Sequence, residues 1–294
     1  MAAIYRSPGG ERLLREANLR LLSHWPVPHE ALRLPTCEGE TFVVASGNPA
    51  YPPLILFHGS GSNVSAWRGD VAAFSERFRI YAVDMIGEPG LSAPCRRPLT
   101  SDAHALWLDD VLSGLSVERA SLVGISLGGW LALDYAIRRP GRVAKLALLC
   151  PAGFGRVKLS FIVRVAIGSA LNGGRPGRRT LAAIGASGVP QAYLDYVQLI
   201  FTHFVPRRLA LPVFTDKELR RLDMPVLMIV GAKDALLDSA VSRRRLTRAA
   251  PHAEIVILPE AGHFLIRQTG PILDFLTREP AERPHALPPG GHPT

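Results

Sequence analysis

A serine flanked by glycines is the feature that most constrains how this chain can fold. Residues 124–128 read Gly-Ile-Ser-Leu-Gly, preceded by the apolar run 120–123 and followed by a helix-compatible run at 130–138. A serine at the apex of a strand, tight turn and helix has a strained backbone, so small residues are needed two positions to either side. The pattern predicts that Ser126 lies at a sheet edge and at a helix N-terminus, where negative charge is stabilised. A purely structural turn serine is the alternative, because the pentapeptide by itself also occurs by chance.

The chain also supplies a base and an acid in the order that a serine nucleophile on such a sheet requires. A serine hydroxyl becomes reactive when a base takes its proton and a third group orients that base. Buried-strand runs at 225–230 and 253–258 are followed by Asp234 and His263. Because the carboxyl ends of parallel strands share one sheet edge, both side chains are expected beside Ser126. We predict Ser126 as nucleophile, His263 as base and Asp234 as the orienting acid.

A glycine-rich loop follows another short apolar strand. After the run 54–57, residues 58–62 read His-Gly-Ser-Gly-Ser. Such a loop allows backbone N–H groups to point at a developing oxyanion, and we predict the N–H groups of Ser60 and Leu127 as its donors.

Four further residues are candidates for lining a binding site next to these groups. They are Gly59, Trp67, Trp130 and Phe264. For Trp130, packing beneath the serine turn is the favoured interpretation over lining a pocket, and for Trp67 the two interpretations are equally open.

Taken in this order, the four elements resemble the α/β-hydrolase family over about residues 30–278. The stretch 25–30, Trp-Pro-Val-Pro-His-Glu, and the loop 84–90, Asp-Met-Ile-Gly-Glu-Pro-Gly, are most similar to small bacterial carboxylesterases of that family. The resemblance implies an α/β-hydrolase fold. A serine at the apex argues against the branches of the family that use a carboxylate nucleophile.

The resemblance also ranks the competing residues. It implies that His263 is the base and that His58 shapes the oxyanion loop instead. Asp234 matches the family's Gly-x-x-Asp after a strand. Asp238, four residues later, is expected to cap the helix that starts near Ser239.

Strands and helices alternate along most of the chain, which predicts a mostly parallel sheet with helices on both faces. The predicted strands are near 31–35, 41–46, 54–57, 79–83, 120–125, 144–150, 225–230 and 253–258, and the predicted helices near 9–23, 65–76, 101–115 and 127–138.

The alternation stops after the sixth strand and resumes only near Met224. A structureless loop of this length is uncommon in a compact domain, so we predict a helical cap inserted at 154–223. The α/β-hydrolase core would then comprise 1–153 and 224–278. Residues 279–294, rich in Pro, Gly and His, are predicted to form a disordered tail.

Composition is that of an ordinary globular protein, with 294 residues, 47% hydrophobic and 20% charged. The N-terminus has no apolar core of a signal peptide and no 18-residue window is apolar throughout, so we predict neither a signal peptide nor a membrane span. Cys37, Cys95 and Cys150 are widely spaced and show no metal or disulfide pattern, which favours a reducing cytoplasm. Cys150 ends an apolar strand and is expected in the core. His285 and His292 in the tail are expected to be solvated, so no metal is predicted.

The net charge of +9 raises the question of a nucleic-acid partner. The arginines are scattered and no recognised nucleic-acid module is present, so we predict none. Residues 156–221 carry eleven basic and three acidic side chains. If this segment covers a pocket it would favour anionic substrates; a solvated basic face is the alternative.

These features predict a serine hydrolase that cleaves a small-molecule carboxylic ester through an acyl-enzyme intermediate, without a cofactor. Thioester, lactone or carbon–carbon bond hydrolysis by the same three residues stays open, because the cap would select the substrate. A non-catalytic small-molecule binder of the same fold also stays open. The sequence does not fix the oligomeric state.

Overall fold

A computed structural model of the chain describes residues 4–161, 163, 191–207, 211–265 and 267–279. Eight strands form a single sheet in the order β1-β2-β4-β3-β5-β6-β7-β8. The strands are β1 His29–Leu34, β2 Thr41–Ser46, β3 Pro53–Phe57, β4 Arg79–Val83, β5 Ala120–Ile125, β6 Val143–Leu149, β7 Val226–Gly231 and β8 Glu254–Leu258.

The sheet is mostly parallel, as predicted. β2 pairs antiparallel with β1 and with β4. Every other neighbouring pair, from β4 through β8, is parallel. The carboxyl ends of β3, β5, β7 and β8 therefore face the same edge, and the loops that follow these strands carry the candidate site.

The helices occupy the intervals between the strands. Their bounds are α1 Pro8–Leu22, α2 Val71–Ser75, α3 Ala103–Gly114, α4 Leu127–Arg138, α5 Gln191–His203, α6 Asp216–Leu219, α7 Ser239–Ala249 and α8 Thr269–Thr277. The helix predicted at 65–76 is wrong as a single element. It is a 3₁₀ turn at Val64–Trp67 followed by α2, and Gly69 and Asp70, both poor formers of a helix interior, lie between the two.

The core lies on both faces of the sheet because adjacent strand residues point in opposite directions. In β3, Ile55 and Phe57 join one apolar cluster with α3, α4 and α7, whereas Leu54 and Leu56 join a second cluster with α2 and α8. Helices thus cover both faces, which confirms the predicted fold class.

Between β6 and β7, the described residues include α5 and α6. α5 packs on α1 through a third apolar cluster that includes Leu14, Ile200 and Phe204, and Tyr5 forms an isolated bridge with Phe204. Much of the predicted cap at 154–223, including 164–190, lies outside the described residues. Of the predicted tail only Glu279 is described, so the cap boundaries and the tail stay predictions.

Candidate active site

Ser126 lies in a strained turn between β5 and α4. Its φ and ψ are 53° and −108°, a conformation that residues with a Cβ rarely adopt. A Cβ at Gly128 would lie 2.5 Å from the carbonyl oxygens of Phe57 and His58, and one at Gly124 would clash with the backbone of Gly128. The two flanking glycines are therefore needed for close backbone approach, which confirms the predicted strain and its cause.

The structure brings Ser126, His263 and Asp234 together. His263, in the loop after β8, places its Nε2 3.0 Å from Ser126 Oγ and its Nδ1 2.8 Å from Asp234 Oδ2. Because an ionised carboxylate can only accept, Nδ1 carries the proton and Nε2 is left to accept the serine hydroxyl. His263 and Asp234 are buried, whereas Ser126 is partly exposed. The arrangement can move a proton from Ser126 to His263.

The Asp234 carboxylate is held in its ionised form. Burial favours protonation, but the hydrogen bond from His263 and its electrostatic attraction outweigh it and lower the pKa of Asp234 below its ordinary value. The N–H groups of Leu236 and Leu237 contribute by donating to Oδ1 at 2.7 and 3.0 Å. Asp238 instead accepts from two N–H groups at the start of α7 and caps that helix, as predicted.

The loop after β3 lies against Ser126. A Cβ at Gly59 would lie 3.8 Å from the Cβ of Ser126. His58 Nε2 accepts from the Met85 N–H at 3.0 Å, so Nδ1 carries the proton and donates to the Gly59 carbonyl at 2.8 Å. That carbonyl belongs to the same peptide group as the Ser60 N–H. His58 therefore fixes the peptide that carries a predicted oxyanion donor.

His58 is suited to this structural task because it stays neutral. The imidazole is fully buried, and desolvation lowers its pKa to about 4. Both ring nitrogens are occupied by backbone groups. The N–H groups of Ser60 and Leu127 have no hydrogen-bond acceptor within the described parts of the chain, which leaves both able to donate to a substrate oxygen.

The predicted lining residues occupy different places. Phe264 packs edge-on against the His263 ring, with ring centroids 6.3 Å apart. Trp130 is buried within α4, stacks on Phe214 at 5.4 Å and donates from Nε1 to the Pro212 carbonyl. Trp67 ends the 3₁₀ turn and is buried in the apolar core. The contacts of both tryptophans are those of packing residues.

Three neighbours of the site were not predicted. Cys150, expected only as a core residue, is buried at the end of β6 beside Asp234. Lys158 Nζ donates to the Asp234 backbone carbonyl at 2.6 Å. Glu88 accepts from the Gly61 N–H. None carries a local sequence signal for this position, although Glu88 lies in the loop 84–90 that carries the resemblance.

The described residues contain one candidate metal-ligand cluster, formed by Cys150, Asp234 and His263, whose ligand atoms lie within 4.8 Å of one another. An ion at this place would have to displace the hydrogen bond between Asp234 and His263. Their geometry fits a carboxylate–imidazole pair instead. His285 and His292 lie outside the described residues.

Comparisons with known proteins identify the class to which this fold and site belong. A model of the Alpha/beta hydrolase family matches residues 54–274. The chain therefore belongs to the alpha/beta-hydrolase family. It is 32% identical over 254 residues to the carboxylesterase YbfK of Bacillus subtilis (strain 168), a match that spans 83% of this chain and 85% of the relative.

Solved structures agree with this assignment. The crystal structure of carboxylesterase CesB (YbfK) from Bacillus subtilis has a TM-score of 0.81 at 28% identity, covering 92% of this chain and 99% of that one. Naproxen esterase (carboxylesterase NP) from the same species has a TM-score of 0.79 at 28% identity, covering 89% and 96%. These likenesses confirm the predicted fold and make the protein a hydrolase that resembles bacterial carboxylesterases.

None of the helices in the described part of the chain combines the length and apolar character that a membrane crossing requires.

Proposed function

We propose that this protein is a serine carboxylesterase acting on small-molecule esters. The observation that carries the proposal is the continuous hydrogen-bonded chain from Ser126 Oγ through His263 to Asp234, with the serine in a strained turn. The likeness to carboxylesterases over most of the chain supports the same class of substrate.

In the proposed reaction, His263 removes the Ser126 proton while Oγ attacks the acyl carbon. Asp234 keeps the imidazole in the correct tautomer and stabilises the imidazolium that forms. His263 then gives the proton to the alkoxy oxygen, and the alcohol leaves as the acyl-enzyme forms. A water molecule, deprotonated by His263, attacks the acyl-enzyme and releases the acid with Ser126 restored.

The tetrahedral intermediates carry a negative oxygen that needs hydrogen-bond donors. The N–H groups of Ser60 and Leu127 are the proposed donors, because neither has an acceptor among the described residues and both flank the nucleophile. Removing one such donor in serine hydrolases lowers kcat on the order of 10²–10³-fold. No step in this scheme requires a cofactor. The cytoplasmic location stays a prediction that rests on the cysteine pattern.

The test compares the wild-type protein with Ser126→Ala and with Ser121→Ala, a buried serine of β5, the strand that precedes the turn. p-Nitrophenyl esters measure turnover, and a fluorophosphonate probe reports a reactive serine. We expect Ser126→Ala to lose about 10³-fold or more in kcat and to lose labelling while its circular dichroism stays unchanged. Ser121→Ala should keep both turnover and labelling. Near-normal turnover in folded Ser126→Ala would refute the nucleophile.

The same assays separate the alternatives. A panel that adds thioesters and lactones of equal acyl length identifies the bond that is cleaved. A non-catalytic binder would show neither turnover nor labelling in the wild-type protein. Faster cleavage of the thioesters or lactones than of the esters, or a wild-type protein without turnover and labelling, would replace the carboxylesterase proposal.

A further inference from the structure

We infer that Glu88 is a positioning residue that holds the oxyanion loop, residues 58–62, in its catalytic geometry and ties that loop to the segment after α5 through Arg207. The inference rests on the proposed function, because it assigns a role in stabilising the same oxyanion. Glu88 itself is not expected to touch the substrate.

The contacts of Glu88 are concentrated on the oxyanion loop. Glu88 is 1% exposed. Oε2 accepts from the Gly61 N–H at 2.7 Å and from the Ser60 hydroxyl at 3.4 Å. Glu88 therefore holds Ser60 by its side chain and by the peptide that follows it.

His58 holds the peptide that precedes Ser60, by donating to the Gly59 carbonyl. The Ser60 N–H belongs to this peptide, and Glu88 holds the next peptide, between Ser60 and Gly61. Gly61 has a φ of +66°, in the left-handed region that favours glycine. Such a turn has few intrinsic restraints, so the direction of the Ser60 N–H depends on these two anchors.

A second group of contacts joins Glu88 to the segment beyond α5. Arg207 Nε lies 3.4 Å from Glu88 Oε1, and the Arg207 side chain is itself mostly buried. A Cβ at Gly61 would lie 3.5 Å from the Phe201 ring of α5. The oxyanion loop therefore lies next to α5, and Glu88, which holds that loop, forms an ion pair with the residue four positions after α5.

The buried carboxylate of Glu88 is balanced by positive charge from Arg207 and Arg96. Burial raises the pKa of Glu88, while the Gly61 N–H, Arg207 and Arg96 oppose that rise. An unpaired negative charge behind the donor loop would repel the developing oxyanion. A buried ion pair adds little to stability compared with apolar replacement, so we assign this pair to positioning. Arg207 is thus turned inward and is not part of an outward basic face.

The experiment measures kcat and KM for Glu88→Ala, Glu88→Gln, Arg207→Gln and the Glu88→Gln/Arg207→Gln double variant. Active sites are counted by the burst of p-nitrophenol, so that unfolded protein does not enter kcat. A trifluoromethyl ketone, whose hemiketal oxygen mimics the oxyanion, gives Ki. Asp134→Asn is the matched control, because Asp134 is a buried carboxylate paired with Arg138 at 2.8 Å within α4.

We expect Glu88→Ala to lower kcat about 10–100-fold with a smaller change in KM, and to raise Ki by a similar factor. Glu88→Gln keeps an acceptor for the Gly61 N–H and should lose less. Because Arg207 acts through Glu88, the double variant should be no worse than the poorer single variant. Asp134→Asn should lower Tm without changing kcat or Ki.

Unchanged kcat and Ki in Glu88→Gln and Arg207→Gln, with only a Tm loss like that of Asp134→Asn, would overturn the inference. If Glu88→Ala does not fold, the two glutamine variants decide the question. Glu88→Gln keeps the size of the side chain, and Arg207→Gln alters only the less buried partner. Failure of the proposed function would instead appear as a wild-type protein without turnover, a burst or ketone binding.

Discussion

Buried His104 should make the stability of the protein depend on pH, independently of the catalytic residues. It lies in α3, is 4% exposed, and neither ring nitrogen has a hydrogen-bond partner in the part of the chain that the structure describes. Its ring packs edge-on against Trp130 at 6.2 Å. Desolvation, reinforced by Arg207 and Arg138, lowers the pKa of His104 to about 4.

Proton linkage gives the direction in which pH changes the free energy of unfolding. The unfolded chain binds a proton at His104 near pH 6.5, whereas the folded protein binds it only near pH 4. Between these values the unfolded state holds more protons, so acidification favours unfolding. The stabilisation is nearly complete above pH 6.5 and is lost progressively as the pH falls from 6.5 to the folded value of about 4. The loss is about 3.4 kcal/mol in total and about 2 kcal/mol between pH 7 and 5.

The perturbation is His104→Leu, which removes the titrating group and replaces it with an apolar side chain of similar size. At pH 7 we expect a small change in the free energy of unfolding, because two unsatisfied nitrogens and one aromatic contact are lost together. At pH 5 the variant should be more stable than the wild-type protein by about 2 kcal/mol beyond any difference at pH 7. His58 titrates in both proteins and cancels.

The assay is urea unfolding followed by circular dichroism at both pH values, which avoids the fluorescence of neighbouring Trp130. His24→Gln, at an exposed histidine, controls for the loss of a histidine as such. If the wild-type protein and His104→Leu lose the same free energy of unfolding between pH 7 and 5, the reasoning from burial is wrong.

Two further predictions compare matched pairs. Asp234→Asn should lower kcat on the order of 10³–10⁴-fold because the imidazole loses its orienting carboxylate. Asp238→Ala should instead cost about 1 kcal/mol of stability through the lost helix cap, with kcat unchanged. Equal losses of kcat in the two variants would mean that the acid was assigned wrongly. Gly128→Ala places a Cβ 2.5 Å from two carbonyl oxygens, whereas Gly141→Ala meets nothing within 4 Å. In thermal unfolding, Gly128→Ala should therefore lose more than about 2 kcal/mol of folding free energy, whereas Gly141→Ala should change it by less than about 1 kcal/mol. Equal Tm values would contradict the close approach.

Most of the fold could be predicted because its signals are local. The strands β3 to β8 read as short apolar runs, and the turn at Ser126 has glycines where a Cβ would clash. Asp238 has the sequence position of a helix cap and occupies it. The split between the 3₁₀ turn at Val64–Trp67 and α2 was missed, because the apolar periodicity continues through it. The poor helix formers Gly69 and Asp70 are the only local sign of the break.

The surroundings of the site could not be predicted in the same way. Cys150 was expected only as a core residue, yet it lies beside Asp234 from a different strand. Arg207 was counted in a basic segment that could face solvent or a pocket, yet it pairs with buried Glu88 across 119 positions of sequence. Neither residue differs locally from an ordinary core cysteine or surface arginine.

The sequence by itself determined the alternation of strands and helices, the turn that presents Ser126, and the order in which Asp234 and His263 follow it, since periodicity, glycine placement and strand ends are properties of short segments. Only the tertiary structure decided which buried polar groups meet. Glu88 pairs with Arg207, whereas the ring nitrogens of His104 have no hydrogen-bond partner in the described part of the chain. The physical reason is that burial and charge pairing depend on segments far apart in the chain. Their energies arise only when the fold removes water from between them.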